Sequence, residues 1–279
     1  MNYLAPADLD SALAAFGERK WTILAGGTDF YPARVGLPLT EPVMDISGLD
    51  ELRGITVTEE SYRIGALTRW SDIRGADLPR SFDGLRLAAA AVGGIQVQNA
   101  GTIAGNLCNA SPAADGIPPL LTLDASVELT SQAGSRVTPL HTFLTGYRQT
   151  DLRPDELVTA VIVPRGVDEA FSDFQKLGSR SYLVISIVMV ATVIATAADG
   201  TITEARVAVG SCSPVAQRLP ELETALQGQR SRDRLEDLLT MDHLKGLAPI
   251  DDVRATAAYR LEATLSLIRR TLRNFSESQ

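Results

Sequence analysis

The sequence predicts an α+β fold in two domains, and two observations support this. In residues 1–165, short apolar runs that end at glycine or proline alternate with amphipathic helical stretches, a pattern typical of small mixed units. In residues 170–279, three strand-like runs come first and helices follow. We therefore expect domains at 1–165 and 170–279, joined by a polar hinge from Pro164 to Glu169. The first domain should divide into α+β subdomains at about 1–53 and 54–165.

Composition narrows the possible classes of function. The 279 residues carry a formal net charge of −8, which argues against nucleic-acid binding because such proteins show a basic stripe. Two cysteines, Cys108 and Cys212, can form neither a disulfide framework nor a zinc or iron–sulphur site, so no metal is expected on this chain. The N-terminus lacks a signal-peptide pattern, and the longest apolar run, Tyr182 to Ala198, is too short and polar to span a membrane. A cytoplasmic location is therefore expected.

Local patterns predict the elements of the first domain. Asp8 to Phe16 should form an amphipathic helix that ends at a glycine cap, Gly17, ahead of a strand at Trp21 to Ala25. The other predicted elements are a strand at 43–46, a hairpin of 54–58 and 61–67, a helix at 69–73 capped by Thr68, a helix at 85–92, and strands at 126–130, 136–138 and 157–163.

The second domain is predicted to hold a three-stranded antiparallel sheet. Its strands are Phe171 to Leu177, Leu183 to Thr196 and Glu204 to Gly210, with Asp199-Gly200 as a hairpin turn. Asp251 should cap a long helix that packs on this sheet. Its apolar residues recur at steps of three and four: Val253, Ala257, Leu261, Leu265, Ile268 and Leu272.

The segment from Ala100 to Gly116 is the strongest candidate for a binding loop. It shows no apolar periodicity and combines Gly101 and Gly105 with several hydroxyl and amide side chains. Ser111 followed by Pro112 predicts a helix start within it. An ordinary surface loop between two helices explains the same composition, so this segment alone establishes no function.

A second candidate lies upstream, at Trp21 to Asp29. Here a short apolar run breaks into Gly26 and Gly27, followed by Thr28 and Asp29. Backbone N–H groups in such a turn can point together at a phosphate, and a β-branched side chain at either glycine should fill the space that the phosphate needs. The segment is neither a P-loop nor a G-x-G-x-x-G motif, and an ordinary turn is an equal alternative.

Together the two stretches resemble the FAD-binding medium subunit of molybdenum hydroxylases, as in carbon monoxide dehydrogenase and the flavin domain of xanthine dehydrogenase. The resemblance rests on AGGTD at 25–29, TIAGN at 102–106, NASPAAD at 109–115, Lys176 in FQKLGSR, and IDDVRATAAYR at 250–260. It implies a two-part FAD-binding domain of the PCMH type, followed by a C-terminal domain with a three-stranded antiparallel sheet and helices. Ala104 departs from the family, which commonly has glycine there, and alanine would be strained if that position needed a positive φ.

The resemblance also implies which residues contact FAD. Residues 23–30 match the family's diphosphate loop, Thr102 begins a second group of contacts, and Asp115 matches a carboxylate near the flavin. Taken alone, Asp115 could instead be a carboxylate that interacts with the dipole of a helix at its N-terminus, and Lys176 could be a solvated strand residue. The full set is Ile23, Leu24, Ala25, Gly26, Gly27, Thr28, Asp29, Phe30, Val92, Thr102, Ala104, Gly105, Asn106, Asp115, Val158 and Lys176.

Cofactors and partners follow from the same resemblance. It implies noncovalent FAD on this chain, with iron–sulphur clusters on a small partner subunit and the molybdenum cofactor on a large one, in a dimer of heterotrimers. Electrons would pass from the iron–sulphur subunit through FAD to an external acceptor. His141 and His243 lie in neither motif, so neither is expected to attach FAD covalently, and both suit surface positions. Tyr31 could stack on a ring or lie in the core.

Two alternatives stay open at this point. The sequence shows no cluster of nucleophile, base and orienting group, so hydrolysis has no support. The chain could be a free-standing FAD-dependent oxidoreductase with its own substrate pocket, or a flavin-free assembly subunit. Yellow colour after purification would exclude the flavin-free assembly subunit. Copurification of two partner subunits would distinguish the medium subunit of a complex from a free-standing oxidoreductase.

Overall fold

The computed structural model describes residues 2–279 and begins with a small parallel sheet. Helix α1 covers this sheet, and Asp8 is its N-cap rather than its first residue, because the Asp8 carboxylate accepts a hydrogen bond from the Ser11 N–H at 2.8 Å. The helix ends with Phe16 as its cap residue, just before Gly17. Leu13 of the helix packs with Met44 of the sheet in one buried cluster. The elements are β1 (Tyr3–Leu4), α1 (Leu9–Ala15), β2 (Thr22–Leu24) and β3 (Val43–Asp45), with β3 between the other two strands.

The second sheet is antiparallel and has five strands. The strands in this part of the chain are β4 (Ile55–Val57), β5 (Ser61–Gly65), β6 (Ser126–Ser131), β7 (Gly134–Pro139), β8 (Leu144–Gly146), β9 (Gln149–Thr150) and β10 (Leu157–Pro164). The five-stranded sheet has the order β4-β5-β10-β6-β7, and β8 pairs with β9 separately. The predicted hairpin and the three predicted strands are therefore confirmed.

Six helices connect or cover these strands. They are α2 (Trp70–Gly75), α3 (Asp83–Ala91), α4 (Ile95–Ala100), α5 (Ile103–Asn109), α6 (Ile117–Thr122) and α7 (Leu140–Phe143). The Thr68 hydroxyl does not cap α2, because it donates to Gly54 O at 3.0 Å. Arg69 occupies the cap position instead, and its N–H donates to the Asp72 carboxylate at 3.0 Å.

Two predictions about residues 100–116 are wrong. The segment is not an open loop, because α5 occupies much of it and buries Ile103 and Leu107 completely. A helix this short, with small residues between its apolar ones, leaves no visible period. Ser111-Pro112 starts no helix either. Helix α6 begins after Gly116, and the Ser111 hydroxyl accepts from the Ala113 N–H at 3.2 Å.

The C-terminal domain is an antiparallel sheet with helices on it. Gly200 has a φ of +81° in the β12–β13 turn, which confirms the predicted hairpin. The second strand begins at Val188 rather than Leu183, whose φ is +52°. A short fourth strand also extends the predicted three. The elements are β11 (Phe171–Leu177), β12 (Val188–Thr196), β13 (Ile202–Gly210), β14 (Gln217–Arg218), α8 (Pro220–Leu226) and α9 (Ala257–Glu277).

The N-terminus of α9 lies later than predicted. Thr256 is its cap residue and accepts from the Tyr259 N–H at 3.3 Å, whereas Asp251 accepts from the Ala257 N–H at 2.6 Å. Val253 is fully exposed and precedes the helix. Leu261, Leu265, Ile268 and Leu272 of the predicted stripe pack in the core of this domain, whereas Ala257 does not belong to that cluster. The connections of the chain contain 3₁₀ helices at Pro32–Arg34, Asp50–Leu52, Arg80–Phe82, Leu235–Asp237 and Met241–Leu244.

Helix α6 joins the two domains. All of its residues are buried, and it packs against β12, β13 and β14 of the C-terminal sheet. Just after the helix, the Asp124 carboxylate pairs with Arg206 at 3.1 Å and with Arg218 at 2.5 Å. Just before it, Asp115 pairs with Lys176 of β11 at 2.7 Å. The helix is therefore held to the sheet at both ends. No helix within residues 2–279 is both long enough and apolar enough to cross a membrane.

Candidate functional site

Two glycine motifs, residues 25–29 (the first motif) and residues 100–106 (the second motif), are in direct contact, although they lie far apart in the sequence. A Cβ atom on Gly26 would lie 1.9 Å from the carbonyl oxygen of Ala100 and 3.0 Å from the Cα of Gly101. Only glycine lets the two backbones approach this closely. Gly27 has a φ of +72°, in the left-handed region. The turn after β2 therefore rests on the chain just before Thr102.

The first motif presents unpaired backbone donors. Among residues 2–279, the N–H groups of Gly26, Gly27, Thr28 and Asp29 find no protein acceptor. The turn is closed by the Tyr31 N–H, which donates to Gly27 O at 3.2 Å, and by the Ala33 N–H, which donates to Asp29 O at 3.2 Å. All four residues are at least partly exposed. Consecutive free N–H groups in a glycine turn form a site for an anion such as a phosphate.

The backbone N–H groups of the second motif from Ile103 to Asn106 are paired within the protein. The Thr102 hydroxyl accepts from the Gly105 N–H at 3.1 Å, and the N–H groups of Ile103 and Ala104 donate to Thr68 O at 2.9 Å and Ala66 O at 3.2 Å. Ala104 lies inside α5 and has no positive φ. The alanine that departs from the family therefore strains no backbone here.

Asn106 carries a buried acceptor without a partner. Its Oδ1 receives no hydrogen bond from any residue between 2 and 279. A Cβ on Gly116 would lie 3.0 Å from this oxygen and 2.3 Å from Cη2 of the buried Trp70, so a glycine is required beside it. Leaving a buried polar atom unpaired costs about 1–3 kcal/mol. This oxygen is therefore suited to accept a hydrogen bond from a ligand.

Asp115, Lys176 and Ser186 form a buried polar cluster between the domains. Lys176 Nζ donates to Asp115 Oδ2 at 2.7 Å and to Ala91 O at 3.0 Å, and the Ser186 hydroxyl donates to Asp115 Oδ1 at 2.6 Å. Burial raises the pKa of the Asp115 carboxyl, whereas Lys176 and Ser186 oppose that rise. Lys176 is thus not a solvated residue. Asp115 is not simply a carboxylate at a helix start, because both of its oxygens accept hydrogen bonds from other parts of the chain. The sequence did not single out Ser186 as part of the site.

The remaining predicted contacts are spread more widely. Val92 ends α3 one residue after Ala91 and is half-buried, so it lies beside the Lys176 cluster. Val158 is buried in the core behind α5. Leu24 is buried in β2, while Ile23 and Ala25 are partly buried. Phe30 lies under the Arg34 guanidinium, with 3.9 Å between the Arg34 Cζ and the ring centroid.

Three further residues of the sequence hypothesis can be placed. Tyr31 is 61% exposed, so it is not a core tyrosine, and its ring lies against Gly27. His141 is exposed in α7, as expected for a surface histidine. His243 Nδ1 accepts from the Thr240 N–H at 3.1 Å, a local structural bond. Within residues 2–279, no group of three or more histidine, cysteine or acidic side chains is placed to hold a metal ion.

A glycine turn whose free N–H groups can hold an anion is typical of proteins that bind phosphate-bearing ligands. Comparison with known proteins gives the family. A family model described as the FAD binding domain in molybdopterin dehydrogenase matches residues 1–166. Another, described as the CO dehydrogenase flavoprotein C-terminal domain, matches residues 173–275. The chain belongs to the family of FAD-binding medium subunits of molybdenum hydroxylases, so the resemblance and the predicted two-domain fold are confirmed.

Individual relatives agree with this. The nicotinate dehydrogenase FAD-subunit of Eubacterium barkeri is 37% identical over 195 residues, which cover 67% of this chain and 66% of that protein. The xanthine dehydrogenase FAD-binding subunit of Escherichia coli O157:H7 is 30% identical over 254 residues, or 90% of this chain and 87% of that one. A chain in the solved structure of carbon monoxide dehydrogenase from Hydrogenophaga pseudoflava matches with a TM-score of 0.87 and 25% identity, over 97% of this chain and 95% of that chain.

Proposed function

We propose that this chain is the FAD-binding medium subunit of a molybdenum-containing dehydrogenase complex. It would pass electrons from a small iron–sulphur subunit, through FAD, to an external acceptor, while a large subunit holds the molybdenum cofactor. The observation that carries the proposal is the contact of Gly26 with Ala100, which joins two distant motifs beside a row of unpaired N–H donors. Relatives that are named as FAD subunits of dehydrogenases support it.

The residues of this chain fit FAD on structural grounds. The free N–H groups of Gly26 to Asp29 suit a diphosphate, and the unpaired Asn106 Oδ1 suits a hydroxyl or ring N–H donor. The proposed binding set is the one predicted from the sequence: residues 23–30, Val92, Thr102, Ala104, Gly105, Asn106, Asp115, Val158 and Lys176. FAD, when bound, supplies the electron-carrying chemistry, and these residues bind and orient it.

The Lys176 ammonium has a specific place in this proposal. A lysine carries three N–H donors, and Lys176 uses two of them on Ala91 O and Asp115 Oδ2. The third remains for an acceptor on the ligand. Because the ammonium is held from two sides and is largely buried, it can orient a flavin ring without the entropy cost of ordering a free lysine side chain.

Three finer points belong to the same proposal. We place the domain boundary between residues 165 and 170, and the assembly would be a dimer of heterotrimers. The mass of the purified complex tests the stoichiometry. The complex would work in the cytoplasm, which fractionation of cells into cytoplasmic, membrane and secreted material tests.

We expect the chain to bind FAD noncovalently, because neither histidine lies at the glycine motifs. Acid precipitation of the purified yellow protein should release all flavin to the supernatant. Colour that stays in the pellet would show a covalent bond. A chain that is colourless and binds no added FAD in a fluorescence titration would contradict the proposed function itself.

A further inference from the structure

A small crevice of about 50 Å³ lies where the two glycine motifs meet. Gly26 from the first motif and Ala100 and Thr102 from the second form part of its wall. Its charged lining residues are Asp50, Arg53 and Arg69. None of these three belongs to the motifs through which FAD binding was predicted, so their role is a separate question.

Arg53 is paired with Asp72 through two of its five N–H donors. Its Nε and Nη2 donate to the two oxygens of Asp72 at 2.9 and 2.8 Å. These hydrogen bonds are the main cause of the low pKa of Asp72, and the Arg69 backbone N–H adds a further bond to the same carboxylate at 3.0 Å. Asp72 thus neutralises the charge of Arg53.

Arg69 differs from Arg53 in its side chain. Its backbone is fixed, because it forms a β-bridge with Thr102 and donates to Asp72. Its guanidinium is partly buried and forms no hydrogen bond or close ion pair with the described residues, although its charge acts through space on Asp72 and helps to lower the pKa of that carboxyl. Asp50, the one carboxylate among the lining residues, likewise takes part in no ion pair with a described residue. A partly desolvated arginine whose donors are unused is a cation ready for an anionic ligand.

We propose that Arg69 binds the diphosphate of FAD and supplies the positive charge that the glycine motifs lack. The inference rests on the proposed function. Free N–H groups at Gly26 and Gly27 offer donors but no net charge, whereas the diphosphate is an anion. Lys176 is the only cation in the predicted binding set, and its charge is answered by Asp115. A guanidinium matches phosphate oxygens in a charge-assisted and often bidentate geometry, which makes Arg69 the complementary group at this crevice.

The test compares Arg69→Gln with Arg74→Gln in the full chain freed of flavin. Both variants remove one positive charge from the α2 region, but Arg74 is exposed and does not line the crevice. ADP and adenosine serve as probes, because only ADP carries the diphosphate. In the parent, ADP should compete with FAD more strongly than adenosine does. Arg69→Gln should weaken FAD and ADP binding about 10- to 100-fold and leave adenosine unchanged, whereas Arg74→Gln should match the parent.

Each outcome decides between the inference and its competitors. Arg69→Lys keeps the positive charge but loses the bidentate geometry of the guanidinium. It should therefore bind ADP and FAD more tightly than Arg69→Gln but less tightly than the parent, and its affinity should depend on salt as strongly as that of the parent. Equal loss of ADP and adenosine binding in Arg69→Gln would assign Arg69 a role in folding and overturn the inference. ADP binding by Arg69→Gln equal to that of Arg74→Gln would also overturn it. A parent chain that binds no FAD contradicts the proposed function instead, which the parent titration shows before any variant is compared.

Discussion

Single residues outside both motifs hold the site in place, and Ser186 is the clearest case. It is completely buried, and its hydroxyl donates to Asp115 Oδ1, while Lys176 occupies the other carboxylate oxygen. Burial raises the pKa of Asp115, and both neighbours oppose that rise. Ser186 therefore helps to keep Asp115 ionised and, through it, the Lys176 ammonium in position.

Replacing Ser186 with alanine should destabilise the fold and weaken FAD binding together. The variant leaves a buried carboxylate oxygen unpaired, which costs about 1–3 kcal/mol in the free energy of unfolding. Ser276→Ala is the matched control, because the Ser276 Oγ is buried and has no partner among the described residues, so its loss should change stability by less than about 0.5 kcal/mol. Urea unfolding and FAD titration of both variants measure these effects. If Ser186→Ala and Ser276→Ala are equally stable, the Ser186–Asp115 hydrogen bond does not stabilise the fold.

Gly27 offers a second prediction at this scale. Gly27→Ala forces a Cβ into a left-handed backbone and within 2.7 Å of the Tyr31 ring, so it should cost about 1–2 kcal/mol in stability and weaken FAD binding about tenfold or more. Gly228→Ala is the control, because Gly228 has a φ of +79° and open space around it. Gly228→Ala should lose only the stability that a left-handed backbone costs an alanine, and its FAD binding should be unchanged. FAD binding by Gly27→Ala with the parent's affinity would place the diphosphate elsewhere.

The residue scale also shows where sequence reasoning falls short. Glycine and amide patterns identified the motifs, but not the reason for each glycine. Gly26→Val was expected to fill the space of a phosphate, whereas its Cβ would collide with the Ala100 carbonyl, so loss of FAD should accompany loss of folding. Ser186 was visible only as a polar break in an apolar run, and Arg69 only as a residue before a helix. Partners so distant along the chain leave no local pattern.

At the scale of elements, the start of α9 is locked by ionic contacts. Arg260 is 2% exposed and donates to Ile187 O, to Ser211 O at 3.1 Å and to Asp252 Oδ1 at 2.8 Å. Burial alone would raise the pKa of Asp252, but hydrogen bonds from Arg254, Ala255 and Arg260 lower it well below its usual range. The sequence motif at 250–260 is therefore a structural joint that ties α9 to the sheet.

This joint predicts a dependence of stability on pH. Because the folded pKa of Asp252 lies below its unfolded value of about 3.9, its carboxylate stabilises the fold above about pH 4, and this contribution is lost as the pH falls through the folded pKa. Asp252→Asn should cost about 3–5 kcal/mol at pH 7, since it strips a buried arginine of its partner, and the difference from the parent should shrink below pH 4. Urea unfolding at several pH values checks this. Asp242→Asn is the control, because Asp242 belongs to an exposed pair with Lys245. If the difference in stability between Asp252→Asn and the parent stays constant down to pH 2, the prediction is wrong.

Elements with a strong period or clear turns could be predicted, and short ones could not. The Asp199-Gly200 hairpin and the apolar stripe of α9 follow from local pattern. Helices α5 and α6 are seven and six residues long and lie in a segment of small residues and prolines, so their positions depend on packing against the sheets rather than on periodicity. The two-residue β14 forms only because β13 offers it an edge.

At the scale of the whole molecule, α6 makes the two domains one unit around the site. Acidic residues just outside both ends of this helix pair with basic residues of the C-terminal sheet, and one of those pairs is Asp115 with Lys176. The two motifs and the family could be recognised from the sequence because glycines mark both segments, whereas the contact between the motifs could not. The organic substrate of the complex could not, because in the proposed assembly it binds another subunit.

The last prediction follows from that division of labour. If the substrate binds the large subunit, the lone chain loaded with FAD should not be bleached when the organic substrate of the complex is added, whereas the full complex should be bleached within its turnover time. The physical reason is that, in the proposed assembly, the substrate is oxidised on another subunit and its electrons would reach this flavin only through the iron–sulphur subunit. Rapid mixing with detection of the visible flavin band measures both, and a chemical reductant that bleaches the lone chain shows that its flavin is competent. Fast bleaching of the lone chain by the substrate itself would mean that this chain has a substrate pocket of its own.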